Sequence, residues 1–409
     1  MLAHVWFALF ALAFVASLVQ WLLLGQADIF SEVINATFEM AKLGAEIAIG
    51  LVGVLCLWLG FFKIAEEAGL IRHLSRALAP LFQRLMPEVP PGHPAIGSVT
   101  MNLGANVLGL DNAATPLGLK AMKDLQTLNA SPDQASNPQI LFLVLNTSSV
   151  TLLPVTVFLF RAQQGAADPA LVFIPILLAT TASTIAGLAL TSAIQKLPIW
   201  NRVVLSYAAA FALLLAGLIF GLSQMPAQQM ASFSSQLGSL ILFSVIMLFL
   251  ISGYFRRVNV YEAFISGAKQ GIMVAVRIIP YLIGMLVAIG VFRASGVLDG
   301  LLWVIERLVS GMGLDTRFIE ALPTAFMKPF SGSGSRALML ETMSQYGVDS
   351  FPALVAAVVQ GSTETTFYVL AVYFGSVGIK NARHAIACGL FADLVGIVAA
   401  ILVCYWFFA

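Results

Sequence analysis

Near-continuous apolar stretches of spanning length, about 20 residues each, recur along the chain at Trp6–Leu24, Ala45–Phe62, Ile140–Phe160, Leu171–Leu190, Val204–Leu222, Leu237–Ile251, Ile272–Val291, Ala353–Phe374 and Ile386–Phe408. The pattern predicts about nine helical spans. Two further segments, Ala68–Met86 and Ser295–Met312, mix apolar residues with spaced arginines in the manner of amphipathic helices lying in the membrane interface.

Composition narrows the class. With 59% hydrophobic and 10% charged residues over 409 positions, the chain has too little polar surface to coat a soluble globule. It reads as an all-α, polytopic membrane protein of about nine spans plus re-entrant or interfacial helices. A net charge of +1 with no basic tract gives no reason to expect a nucleic-acid partner. Cys56, Cys388 and Cys404 all fall in apolar spans, where they read as small core residues rather than a disulfide framework. No Lys or Arg precedes the first apolar run, which therefore reads as an uncleaved first helix. Orientation stays open, since Arg256, Arg257 and Lys269 mark one connection as cytoplasmic while Arg293, Arg307 and Arg317 crowd the next.

The chain is duplicated. A shift of 227 positions lays Ala41, Lys42 and Gly44 on Ala268, Lys269 and Gly271, and Gly69 on Gly296. Further on the offset becomes 215, and Asn146-Thr147-Ser148-Ser149-Val150-Thr151 falls on Gly361-Ser362-Thr363-Glu364-Thr365-Thr366. Residues 198–229 hold one extra span and the polar link Gln224 to Gln229, so the expected units are 1–197 and 230–409 with a linker between.

Four polar clusters interrupt the apolar pattern, two in each unit. In the first, Asn102 and Asn106 are spaced to share one helix face, followed by Gly109, Asp111, Asn112 and Pro116. That composition suits a re-entrant segment, although Asp111 or Asn112 also suits a helix cap. In the second, Lys328 and Arg336 flank Ser331, Ser333 and Ser335 in an alternating Ser-Gly run, which reads as a loop around an anionic group or as a solvated connector. In the third, Asn146, Thr147, Ser148 and Ser149 precede Thr151 and Pro154, like an unwound transporter helix; singly, each hydroxyl suits a bond to its own helix. The fourth is Gln360, Ser362, Thr363, Glu364 and Thr365. A carboxylate at bilayer depth points to a pathway or binding site unless Arg277 or Arg336 pairs it in a structural lock. Arg277 could equally pair with Asp393, and His384 reads as a surface residue. Enzyme motifs and metal-ligand spacings are missing, so neither catalysis, a metal nor a cofactor is expected.

These motifs resemble a known family. Residues 102–118 with 146–151 resemble spore maturation protein A, and Lys328–Arg336 with Gln360–Tyr368 resemble spore maturation protein B. The resemblance implies two copies of the nucleoside recognition, or Gate, domain found also in concentrative nucleoside transporters and ferrous iron transport protein B. The Gln360 to Glu364 stretch is similar to the Gln-Thr-Glu motif of the nucleoside transporters, which implies that Glu364 and its hydroxyl neighbours touch solute or coupling ion. Ser149 stands where the first unit would match that acid. The resemblance implies a multi-pass protein of the bacterial inner membrane, homo-oligomeric, that moves a small polar solute between two repeats. The alternative expectation is a non-transporting membrane scaffold or receptor serving spore maturation or the envelope.

Overall fold

The structure is a computed structural model. It describes the backbone of residues 2–107 and 111–408, and the side chains of these except 2–5, 111–113, 227–228 and 277–278. Among the described residues the regular structure is helical, apart from one isolated bridge between Gln134 and Asn381. The first half contains α1 (Leu2–Leu23), α2 (Ile29–Glu67), α3 (Leu70–Leu85), α4 (Pro94–Val107), α5 (Asp111–Gln126), α6 (Asn137–Thr147), α7 (Val155–Gln163) and α8 (Phe173–Gln195). After α9 (Arg202–Ser223) come α10 (Ala227–Phe255), α11 (Val260–Ala294), α12 (Val297–Gly311) and α13 (Leu322–Met327). The chain ends with α14 (Gly332–Tyr346), α15 (Phe351–Ser362), α16 (Thr366–Gly375) and α17 (Ala385–Phe408).

Among the described residues, seven helices are long and apolar enough to cross a membrane: Trp6–Leu23, Ile29–Glu67, Pro169–Gln195, Arg202–Ser223, Gln229–Phe255, Val260–Ala294 and Ala385–Phe408. They account for seven of the nine expected spans. The other two, Ile140–Phe160 and Ala353–Phe374, are not continuous helices. The first is broken between α6 and α7 and the second between α15 and α16, each at a polar cluster. Pro154, with no N–H to give, bars helix continuation at the first break; at the second, Thr363 is fully extended, at φ −146° and ψ 170°. Helices α4 and α5 fold back on each other as a hairpin, as do α13 and α14.

Equivalent helices of the two halves pack in pairs, and they run antiparallel. A methyl group on Gly271 of α11 would come within 2.7 Å of the Cys56 backbone of α2, and one on Gly44 within 3.0 Å of Ile283. Gly44 and Gly271 are 227 positions apart, as are Cys56 and Ile283. One contact is therefore the image of the other through a two-fold axis in the membrane plane. At α8 and α17 the same holds, since Gly187 meets Ala392 and Ser183 meets Gly396, with Ser183 Oγ donating to the Ala392 carbonyl at 2.9 Å. Outside these pairs, α1 packs on α11 and α10 on α2, again as images. Small residues at the crossings let backbones approach without a hydrophobic driving force from water, as membrane helix packing requires. The repeats are inverted.

Inversion places α3 and α12 on opposite faces. Each follows its long helix through a left-handed glycine, Gly69 (φ 73°) or Gly296 (φ 70°), a corner that a residue with a Cβ would strain. One face is knitted by Arg256 to His73 (3.0 Å), Tyr207 to the Ala77 carbonyl (2.5 Å) and Gln195 to His384 (3.0 Å). It carries Arg72, Arg76, Arg84, Lys196, Arg202, Arg257 and Lys380. The opposite face is joined by Gln20 to the Ser295 carbonyl (2.7 Å), Arg161 to Asp349 (2.8 Å) and Tyr405 to Asp315 (3.0 Å). Two of its arginines come with acids, Arg293 at 2.6 Å from Glu341 and 3.4 Å from Asp299, and Arg317 at 2.9 Å from Asp315, while Arg307 stacks over the Trp303 ring at 5.2 Å.

Candidate functional site

The two helix breaks meet in the core. Thr147, the last residue of α6, offers its carbonyl to the backbone N–H of Glu364 at 2.7 Å. Helix termini leave unpaired carbonyl and N–H groups that lipid cannot satisfy, so at bilayer depth two breaks are more stable together than apart. Helix α8 serves the first break with hydroxyls one turn apart. Thr180 Oγ1 donates to the Ser149 carbonyl at 2.6 Å, and Thr184 Oγ1 donates to the Ser148 carbonyl.

Each hairpin tip braces the break of its own half. The Leu152 N–H donates to the Val107 carbonyl at 3.1 Å, and the Phe367 N–H to the Pro329 carbonyl at 3.0 Å. Leu152 and Phe367 are 215 positions apart, the offset of the polar motifs. Side chains repeat the arrangement. Asn106 Nδ2 donates to Asn146 Oδ1 at 2.8 Å in the first half; in the second, Ser335 Oγ lies 2.7 Å from Gln360 Oε1 and Lys328 Nζ donates to the Gln360 carbonyl at 2.7 Å.

The expected residues thus gather at one junction with unequal roles. Asn102 is fully buried, its Nδ2 donating to the Ala114 carbonyl at 2.8 Å while Oδ1 has no protein partner. Tyr373 stands between the two amides, 3.4 Å from Asn102 Nδ2 and 3.5 Å from Asn146 Oδ1. Thr147 and Ser148 both return their hydroxyls to the Val144 carbonyl, and Ser362 bonds the Val359 carbonyl, so these three act within their own helices. Ser149 contributes its carbonyl rather than its hydroxyl, and Thr365 is buried beside Gly332. The Ser-Gly run is neither open loop nor connector. Ser331 Oγ accepts from the Gly334 N–H at 3.0 Å and caps α14, whose first turn holds Ser333 and Ser335. Side chains of Asp111, Asn112 and Arg277 lie outside the described residues, as does any pairing of Arg277 with Asp393 or Glu364.

Glu364 is exposed at the break, where it lines a cavity of about 90 Å³ with Thr151, Thr156, Lys328, Arg336 and Gln360. Arg336 stacks over the Phe160 ring at 5.2 Å. The cavity therefore presents two cations, one carboxylate, an amide and hydroxyls, a set able to hold a polar solute through both donors and acceptors. Sequence reasoning passed over Tyr373, Thr180 and Thr184. The last two were visible as hydroxyls at i, i+4 on a helix without charged residues.

Residues 48–164 and 275–380 match the family described as Gate, nucleoside recognition. The chain is 46% identical over 154 residues to "Spore maturation protein B" of Bacillus subtilis (strain 168), covering 38% of this chain and 85% of that protein. It is 44% identical over 157 residues to "Spore maturation protein A" of the same organism, covering 38% of this chain and 80% of the relative.

Proposed function

Because this chain belongs to the Gate, nucleoside recognition, family, we propose that it is a membrane transporter in which a small polar solute passes the junction of the two broken helices. The observation that carries this reading is the meeting of two interrupted helices, each braced by a hairpin, at a cavity lined by Lys328, Arg336, Gln360 and Glu364. Interrupted helices between inverted repeats are the architecture on which transporters build mid-membrane sites, and rocking of one repeat against the other alternates access. About 90 Å³ of space holds only a few water molecules, so a nucleoside-sized solute needs a state in which the hairpins stand apart. The amide cluster of Asn102, Asn106, Asn146 and Tyr373 then closes the path on the side of the first hairpin.

The protein resides in the bacterial cytoplasmic membrane, with the α3 face, rich in unpaired-off Arg and Lys, toward the cytoplasm. Counterflow in liposomes tests the transport reading. Purified protein loaded with unlabelled nucleosides, and in parallel with other small polar solutes, should accumulate the labelled counterpart of one class, and Glu364→Gln should cut the rate at least tenfold. Saturable binding without flux in any class would instead leave a receptor.

A further inference from the structure

Asp393 sits in the middle third of α17, 1% exposed, immediately behind the second break. Its Oδ2 accepts from Thr366 Oγ1 at 2.7 Å, while Oδ1 has no well-formed donor among the described residues. Thr363 Oγ1 is buried beside the same carboxyl, close enough to interact with it but short of a well-formed hydrogen bond. Helices α6, α8, α10, α15 and α16 pack around α17, and none of them carries a charged residue. Among the described residues the charged groups within reach are Lys328, in the tip of the second hairpin, and Glu364, in the second break. Lys328 is itself committed to the Gln360 carbonyl.

We propose that Asp393 is a second, buried acid of this protein that binds and releases a proton, exchanging it with the Glu364 cavity through Thr363. Three features point to a proton rather than to a metal cation. The surroundings are packed too closely for a cation and its oxygen cage: a methyl on Gly396 would meet Thr363 Cγ2 at 2.6 Å and Ser183 Cβ at 3.0 Å, and one on Gly389 would meet Thr366 Cγ2 at 2.8 Å. A protonated Oδ1 becomes a donor, and the Thr363 hydroxyl beside it is an unused acceptor. Finally, Thr363 borders both places: it lines the Glu364 cavity, and its hydroxyl lies beside the Asp393 carboxyl. A carboxylate sealed from bulk solvent among helices without charged residues is costly to ionise, which is the condition that drives proton uptake. In the step itself, the Oδ1–H bond breaks and the proton passes by way of the Thr363 hydroxyl to solvent in the Glu364 cavity, leaving Asp393 anionic. Coupling of this proton to solute flux rests on the transport reading, whereas the binding of the proton does not.

Infrared difference spectroscopy of the full chain in lipid bilayers, stepped from about pH 5 to about pH 10 across the range of perturbed carboxyls, reads the site without any solute. The wild type should show protonated-carboxyl C=O absorption that disappears reversibly as pH rises, in sodium and choline buffers alike. Asp393→Asn should lose this band, Glu364→Gln should keep it, and Thr363→Val should shift its frequency. Retention of the band in Asp393→Asn, or its replacement by sodium at fixed pH, would overturn the proposal. Should Asp393→Asn fail to fold, the Thr363→Val spectrum decides: an unmoved band rejects the site and a shifted one supports it. If counterflow fails while the band behaves as stated, the transport reading falls and the proton site stands.

Discussion

The Leu152 N–H is held by the Val107 carbonyl at 3.1 Å, so the tip of the first hairpin is fastened to the far side of the first break rather than to its own helix. Phe367 and Pro329 repeat the bond in the second half. Each hairpin and its broken helix are thus one mechanical piece, and side-chain bonds between them report on the whole piece.

Ser335→Ala removes the hydroxyl that faces both Gln360 Oε1 and the Thr324 carbonyl. A buried acceptor left without its donor costs about 1–3 kcal/mol, so the melting temperature in detergent should fall by several degrees and counterflow should slow. Asn106→Ala should cost less, because Asn146 Oδ1 keeps the longer bond from Tyr373. Equal melting of wild type and Ser335→Ala would show that the second hairpin is not held this way.

Steric substitutions test the inverted packing. Gly271→Leu forces a side chain into the Cys56 backbone and Gly44→Leu into Ile283, each an overpacking of roughly 1–3 kcal/mol or more, and both should reduce the monodisperse fraction in size-exclusion chromatography. Gly53→Leu on the same α2 meets nothing within 4 Å and should behave as wild type. A reversed order would contradict the assigned crossing of α2 and α11.

Acid should weaken the face that carries α3. Burial, with Arg383 adding to it, holds His384 below the ordinary histidine value, and Gln195 Nε2 donates to its ring at 3.0 Å, an arrangement only the neutral tautomer accepts. The unfolded chain therefore binds the proton more readily than the folded one. Stability should decline as pH falls below about 6.5, the unfolded value, and level off once the folded histidine is also charged. Melting followed from pH 8 to pH 5, about those limits, should show this slope in wild type and a smaller one in His384→Gln.

Orientation is open to chemical labelling. With Cys56, Cys388 and Cys404 replaced, a single cysteine at Ser131 should resist a membrane-impermeant maleimide in intact cells, and one at Ser350 should react. The opposite pattern would reverse the assignment of the basic face to the cytoplasm.

Much of this was legible in the chain, for physical reasons. Length and apolarity marked the spans, and repeated Gly and hydroxyl positions marked the duplication. The breaks were harder. Ile140–Phe160 and Ala353–Phe374 are apolar enough to span, and hydropathy cannot tell a helix interrupted by four polar residues from one that back-bonds them. Thr147, Ser148 and Ser362 do back-bond, while Ser149 and Glu364 lie in the breaks themselves. Whether the repeats were parallel or inverted was hidden because the basic connection at Arg293 is neutralised not only by nearby Asp299 but by Glu320 and Glu341, partners distant in sequence. The role of Asn102 depended on Tyr373, 271 residues away.

The lone helix α9 has a topological consequence. Each half crosses the bilayer four times: α1, α2, the α6–α7 pair and α8 in one, and α10, α11, the α15–α16 pair and α17 in the other. An even number returns the chain to the side on which it began, so two such halves joined directly would insert the same way up and could not form antiparallel pairs. By adding a ninth crossing, α9 turns the second half over. It takes little part in the core, and only 6% of its spanning window is buried; parity is its contribution.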